Sequence, residues 1–252
     1  MINGTLPLSL NEKSHRYALD GKWVPGVTSI VEAGLPKPAL KRWGERVVAE
    51  AAVDQLDTLG QILQTMGRAP TVDALAAMPY EQMKTAQLKG TAVHALAEHV
   101  VSGDPVDVPD ELEGHVRGYV GFLESFDVAP LATEALIANR TMWYAGKFDL
   151  LAEIAGRIWL LDIKTSKNVY PETALQCAAY SRAELCIVNG EEVTFPHVDA
   201  IGVVHVTEAG TSFYDLGDME AAFTEFGACL ATYQGVRRRN KEVNLDEPIR
   251  AL

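Results

Sequence analysis

Two aspartates and a lysine in the middle of the chain have a spacing that could support metal-dependent chemistry. The stretch Gly146–Lys164 predicts two strands joined by a tight turn at Ala155-Gly156. With that two-residue loop, Asp149 lies opposite Asp162 on one face of an antiparallel pair, and Lys164 shares the face. A four-residue loop gives the same register, whereas a three-residue loop moves one carboxylate to the other face unless a bulge restores it.

The other face of this hairpin is expected to be apolar and to pack on a core. It carries Phe148, Leu150, Ile154, Trp159, Leu161 and Ile163. On the polar face, two close carboxylates repel each other unless a cation lies between them, and oxygen ligands favour Mg²⁺ or Mn²⁺. Such a cation would polarise a phosphate, and Lys164 could hold the attacking water or stabilise developing charge. The alternative is a cross-strand salt bridge on a solvated face.

Composition indicates an ordinary soluble protein. The 252 residues, 48% hydrophobic and 22% charged, suit one large domain or one domain with an appendage. We expect no membrane segment and no signal peptide. The scattered Cys177, Cys186 and Cys229 indicate a reducing cytoplasm and lack metal-ligand spacing. The net charge of −12 counts against extensive nonspecific nucleic-acid binding. A protein that is acidic overall can still bind nucleic acid through a locally basic groove.

The pattern of apolar residues predicts an α/β protein. A hairpin at 15–25 precedes a mainly helical first half, with helices at 39–53, 53–66, 71–78, 79–101 and 109–126. The second half contains a strand at 133–142, the hairpin described above, a helix at 170–188, strands at 198–206 and 211–216, and a helix at 218–236. Strands that alternate with helices in this way are typical of a layered α/β core.

Other polar groups lie on predicted helices. His94, with Glu98 one turn later, could be a metal ligand oriented by a carboxylate, or a half-buried histidine bonded to its neighbour. Gln176 and Tyr180, also one turn apart, could contact a phosphate or steady Lys164, or could merely form the polar edge of an amphipathic helix.

Two basic segments have similar alternatives. The segment from Lys164 to Lys167 could touch a nucleic-acid backbone or form a solvated turn. The run Arg237-Arg238-Arg239-Asn240-Lys241 could bind phosphate or simply stabilise the dipole at a helix end.

Four short motifs occur in order along the chain: Gly90-x-x-x-His94, Gly146-x-x-Asp149, Asp162-x-Lys164-Thr165 and Gln176-x-x-x-Tyr180. Together they resemble the motifs of the RecB-like branch of the PD-(D/E)XK nuclease superfamily. The similarity covers about residues 88–216. A looser similarity of the N-terminal part, including Leu40-x-x-Trp43, is to phage-encoded or prophage-encoded members. Phe148 stands where the superfamily's name has proline, and three cysteines cannot build the four-cysteine iron–sulfur cluster of some relatives.

The resemblance implies a fold and a site. The fold is a restriction-endonuclease-like core at 88–252, with a central mixed sheet flanked by helices, and a hairpin and helical region at 1–87 packed on it. The implied ligands of Mg²⁺ or Mn²⁺ are His94, Asp149, Asp162 and the Ile163 carbonyl. Lys164 would position or activate the water.

The resemblance further implies that Gln176 and Tyr180 contact substrate, and Lys167, from its position after the strand, is expected to contact substrate as well. The expected function is therefore DNA phosphodiester hydrolysis, by an exonuclease of phage recombination or DNA processing in the host cytoplasm, with a recombination or single-strand-binding protein as partner. A non-catalytic DNA-binding or assembly module that keeps the fold is the alternative, and an endonuclease is another.

Overall fold

The protein is an α/β structure, described by a computed structural model for residues 7–103 and 107–243. The strands are β1 Leu8–Asn11, β2 Arg16–Leu19, β3 Lys22–Val24, β4 Ala129–Thr133, β5 Leu136–Asn139, β6 Tyr144–Lys147, β7 Leu150–Ile154, β8 Arg157–Lys164, β9 Leu185–Val188, β10 Glu191–Thr194, β11 Ala200–Thr207 and β12 Gly210–Asp215. The helices are α1 Val27–Gly34, α2 Pro38–Asp54, α3 Leu56–Met66, α4 Arg68–Ser102, α5 Asp110–Ser125, α6 Thr173–Ser181 and α7 Met219–Glu242.

The chain forms two compact units. One contains Met1–Leu35 together with His94–Leu252, and the other is Pro36–Val93. The smaller unit is helical: α2 begins with Pro38 in its first turn, and α3 ends at Met66, followed by Gly67, whose φ is 85°. Within the described residues, no helix is both long and apolar enough to cross a lipid bilayer. The division at residue 87 that the resemblance implies stays a prediction.

The N-terminal hairpin is confirmed. β1, β2 and β3 form a three-stranded antiparallel sheet. Asp20 and Gly21 both have positive φ, 49° and 73°, which is the backbone of a two-residue hairpin turn whose twist matches the strands.

The central hairpin also has the predicted loop. Ile154 pairs with Arg157, and Ala155 and Gly156 have φ of 51° and 75°. The hairpin lies in a five-stranded sheet of order β12-β11-β8-β7-β4, in which β11 is parallel to β8 and the other neighbours are antiparallel. A second sheet of four strands has the order β10-β9-β5-β6.

Both faces of the five-stranded sheet are covered. One face packs against Ala97 of α4 and against Tyr119 and Phe122 of α5. Its own buried residues include Leu150, Ala152, Ile154, Trp159, Leu161 and Ile163. The other face, with Leu151 and Leu160, packs against residues of α1, α6 and α7. The site residues at the carboxyl end of β8 therefore lie between two cores.

Phe148 was predicted to share the face of Leu150, and this prediction is wrong. Phe148 is buried in the core that contains Leu160, on the opposite side. The reason is that residues 148–149 connect β6 of the four-stranded sheet to β7 of the five-stranded sheet, so the alternation of side chains is interrupted there.

Three helix and strand boundaries were also wrong. The predicted helix at 170–188 ends at Ser181, because Leu185–Val188 is a strand that pairs with β5 and turns into β10 at Asn189-Gly190. The predicted helices at 71–78 and 79–101 are one helix with Pro79 inside it. The predicted strand at 133–142 is the end of β4 and all of β5, which lie in different sheets.

Candidate functional site

His94 projects from α4 to the end of β8. Its Nε2 lies 2.9 Å from the backbone oxygen of Ile163, and its side chain is 26% exposed. Ala97, Val100 and Val101, which follow on the same helix, pack on the apolar face of the sheet. Because this packing fixes the rotation of the helix, the imidazole is directed at the strand end.

Asp149 forms hydrogen bonds both with the end of β8 and with Glu134, between β4 and β5. Its Oδ2 accepts a hydrogen bond of 2.7 Å from the Ile163 backbone N–H, and its Oδ1 lies 3.4 Å from His94 Nδ1. The backbone oxygen of Asp149 accepts a hydrogen bond of 3.1 Å from the N–H of Glu134. The two polar backbone groups of Ile163 therefore contact Asp149 and His94.

Glu134 is a site residue that the sequence analysis missed. Its Oε1 is 3.3 Å from His94 Nδ1, and its other oxygen forms an ion pair with Lys147. Its φ is 48°, in the left-handed region that few residues other than glycine adopt, at the point where the chain leaves one sheet for the other. An acidic residue inside a predicted strand offers no signal of such a change of direction.

Three side chains form a group that could hold a metal ion. One ligand atom from each of His94, Glu134 and Asp149 lies within 4.8 Å of the others. Imidazole and carboxylate ligands without sulfur suit Mg²⁺ or Mn²⁺ better than soft metals. In the part of the chain that the structure describes, Asp162 is not a member of this group. The carboxylates that face His94 are Glu134 and Asp149, whereas the Glu98 that the sequence suggested as its orienting partner is exposed.

Asp162 is 3% exposed and forms the second half of the site. Its Oδ1 accepts hydrogen bonds from Lys164 Nζ at 2.9 Å and from Gln176 Nε2 at 3.1 Å. Its Oδ2 lies 2.7 Å from the same ammonium nitrogen, so both carboxylate oxygens are paired with Lys164. Lys164 and Asp162 thus share a face of β8, as the strand alternation predicted.

The helix α6 faces this buried carboxylate. Gln176 Nε2 lies within hydrogen-bonding distance of both Asp162 Oδ1 and the hydroxyl of the buried Tyr180, the latter at 3.3 Å. The predicted shared face of Gln176 and Tyr180 is therefore present, and the amide donates to Asp162. Lys167 is exposed in the loop that follows β8.

The imidazole and Asp149 stabilise each other's charged forms. Burial disfavours the charged imidazole, but Asp149 and Glu134 outweigh it and raise the pKa of His94 to about 10. Burial also disfavours the charged form of the Asp149 carboxyl, and by itself it would raise the pKa of that group. The opposing effects of His94, Lys164 and the Ile163 N–H are larger, so this pKa is lowered.

Asp162 behaves differently from Asp149. Burial is the main reason that its pKa is raised to about 6, and the charge of Asp149 adds to the effect, whereas Lys164 and His94 oppose it. Burial disfavours the ammonium of Lys164, yet Asp162 and Asp149 raise its pKa overall. The result is an internally paired cluster of carboxylates and cations around one strand end.

Comparisons with known proteins do not assign this chain to a family. No family model matches it, and no curated protein is significantly similar in sequence. Thirteen chains among the solved structures match it. One is the crystal structure of SSO0001, with a TM-score of 0.34 and 14% sequence identity over 82% of this chain and 74% of that chain. A similarity this low carries no argument about function.

Proposed function

We propose that this protein is a divalent-metal-dependent deoxyribonuclease with a PD-(D/E)XK type of core. The observation that carries the proposal is the convergence of His94, Glu134 and Asp149 at the end of β8, beside a buried Asp162–Lys164 pair. The hairpin alone was also compatible with a cross-strand salt bridge on a solvated face. Such a salt bridge would not require the His94 imidazole from α4 and the Gln176 amide from α6. The order of residue types is also that of the motifs described above.

The chemistry of the donor set fits Mg²⁺ or Mn²⁺. His94 Nδ1, Glu134 and Asp149 would hold the ion. The Ile163 carbonyl, which the resemblance implies as a further ligand, lies instead at His94 Nε2, the other ring nitrogen, and would orient the imidazole. Asp162, the further ligand that the resemblance implies, could add its buried Oδ2, which is ion-paired with Lys164 at 2.7 Å. The bound ion would polarise a phosphate and lower the pKa of a bound water.

Lys164 would act on the reacting groups directly. Its side chain is about one-third exposed, at 32%, so the ammonium can reach a substrate while remaining paired with Asp162. In that position a cation can orient a water by hydrogen bonding and stabilise charge that develops on phosphate oxygens. Gln176 would keep Asp162 oriented toward Lys164, and Tyr180 would support the amide.

The biological role follows from the resemblance. It is that of an exonuclease in phage recombination or DNA processing, acting in the cytoplasm of the host with a recombination or single-strand-binding protein. The exposed Lys167, three residues beyond Lys164, would contact the substrate backbone.

Incubation of the purified protein with linear and circular DNA tests this proposal. We expect degradation of linear DNA with Mg²⁺ or Mn²⁺, resistance of closed circles, and complete inhibition by EDTA. Asp149→Asn should abolish cleavage, whereas Glu153→Gln, an exposed change on β7, should not. Cleavage that persists in EDTA would contradict the metal requirement. Intact DNA in both metals, with a folded protein that still binds DNA, would favour the non-catalytic module.

A further inference from the structure

A groove lined by aromatic and basic side chains lies between β3, the start of β6 and the end of α7. Its volume is about 340 Å³. The lining includes Trp23, Trp143, Tyr233, Arg237, Arg238 and Lys241. All of these residues belong to one compact unit, and none of them belongs to the candidate metal site.

The aromatic side chains of the groove are held by specific contacts. Trp143 Nε1 donates a hydrogen bond of 3.2 Å to the backbone oxygen of Trp23. The Arg237 guanidinium lies 4.1 Å from the centre of the Trp23 ring and donates to the Tyr233 hydroxyl at 3.2 Å. Trp23 is nevertheless 41% exposed. Planar groups are thus positioned in advance, at an edge that remains open to solvent.

The charge of the groove is opposite to that of the whole protein. Arg237, Arg238 and Lys241 are accompanied in the lining by a single carboxylate, that of Glu242, whereas the chain has a net charge of −12. Arg238 Nε is 3.8 Å from Glu242, and both side chains are more than 60% exposed. Such an exposed pair is weak, so the guanidinium can exchange the carboxylate for a phosphate at little cost.

We propose that this groove binds single-stranded DNA, as a second contact for the substrate of the proposed nuclease, on which this inference rests. Aromatic rings and guanidinium planes stack on bases only when the bases are unpaired, and neighbouring cations follow the phosphates. The volume is at the low end of the range of about 300–1,000 Å³ for small-ligand pockets, which suits one base with its phosphate. An acidic peptide would satisfy the cations but would leave the rings unused.

The inference is tested by measuring, through fluorescence anisotropy in EDTA, the binding of a fluorescein-labelled oligo(dT) of about twelve nucleotides. Arg238→Ala should weaken binding several-fold. Arg117→Ala is the matched control, because Arg117 is an equally exposed arginine that also pairs with a glutamate one turn away, in α5. Trp23→Leu keeps apolar bulk but removes the ring, and should weaken binding at least about fivefold. Polyglutamate and a duplex of the same length should compete poorly.

Equal losses of oligo(dT) affinity in Arg238→Ala and Arg117→Ala would overturn the inference. Binding of oligo(dT) at the parent's affinity by a folded Trp23→Leu protein would overturn it as well. Competition by polyglutamate as strong as that by unlabelled oligo(dT) would assign the groove to acidic chains instead. The assay contains no divalent metal, so its result is independent of cleavage. Retained cleavage without groove-dependent binding refutes only this inference, and groove-dependent binding without cleavage in Mn²⁺ refutes only the nuclease.

Discussion

His94 Nε2 lies 2.9 Å from the carbonyl oxygen of Ile163, although the two residues are 69 positions apart in the chain. A carbonyl oxygen only accepts hydrogen bonds, so this nitrogen carries a proton. The other ring nitrogen faces the carboxylates of Glu134 and Asp149 and is also best protonated. The imidazole of the metal-free protein is therefore a cation, in agreement with its raised pKa of about 10.

This charge makes the stability of the metal-free protein depend on pH. The pKa of His94 is about 10 in the folded protein and about 6.5 when unfolded, so the folded state binds more protons between these values. Its stabilisation is complete below about pH 6.5 and is lost as the pH rises toward 10. In urea unfolding with EDTA, the free energy of unfolding of the parent should exceed that of His94→Gln by a few kcal/mol at about pH 6. At about pH 10 the difference should be much smaller. A difference that does not change with pH would contradict the cationic imidazole.

Glu134→Gln should reduce the affinity for Mn²⁺ by at least about tenfold, because it removes a charged ligand and keeps the shape of the side chain. Calorimetric titration of Mn²⁺ measures this directly. Glu153→Gln, an exposed substitution on β7, is the control and should bind Mn²⁺ like the parent. If Glu134→Gln also binds like the parent, Glu134 only positions His94 and Lys147.

Lys164 and Lys167 should differ in kinetic effect. Lys164→Ala removes the ammonium next to Asp162 and should lower kcat by about 10²-fold or more, with the fold retained. Lys167→Ala removes an exposed charge and should mainly raise KM a few-fold. Steady-state cleavage of linear DNA separates the two parameters. Near-normal kcat in a folded Lys164→Ala protein would exclude its catalytic role.

Gly146 is a position where close packing requires glycine. A Cβ atom there would overlap the ring of Tyr180, and the nearest atoms belong to a buried side chain that cannot move away. Gly146→Ala should therefore destabilise the protein by about 1–3 kcal/mol. Gly121→Ala is the control, because nothing lies within 4 Å of its Cβ position in α5. There alanine should stabilise the helix by up to about 1 kcal/mol. Urea unfolding of both variants provides the comparison, and equal effects would show that Tyr180 does not require Gly146.

Local rules were sufficient for the central hairpin. A two-residue turn ending in glycine and the alternation of apolar residues determine the register of β7 and β8. Alternation along β8 alone places Asp162 and Lys164 on one face. The helix spacing of Gln176 and Tyr180 is local in the same way. These features depend on residues near in sequence, whose geometry the backbone itself restricts.

The prediction failed where the chain changes sheets. Alternation placed Phe148 on the wrong face because residues 148–149 pass from the four-stranded to the five-stranded sheet. The continuous apolar pattern after Ser181 predicted helix, but Asn189-Gly190 forms a hairpin turn, and pairing with β5 makes Leu185–Val188 a strand. Both outcomes depend on partners that are distant in sequence.

The sequence by itself determined the types of chemical group and the local geometry that pairs Asp162 with Lys164. Only the tertiary structure decided that Glu134, and not Asp162, stands with His94 and Asp149 around the Ile163 backbone. Glu134 itself has a left-handed backbone conformation between the two sheets. Its contacts with His94 and Lys147, from other segments, stabilise that conformation. No periodicity in the sequence encodes such a turn, because its energy comes from the contacts that the completed fold supplies.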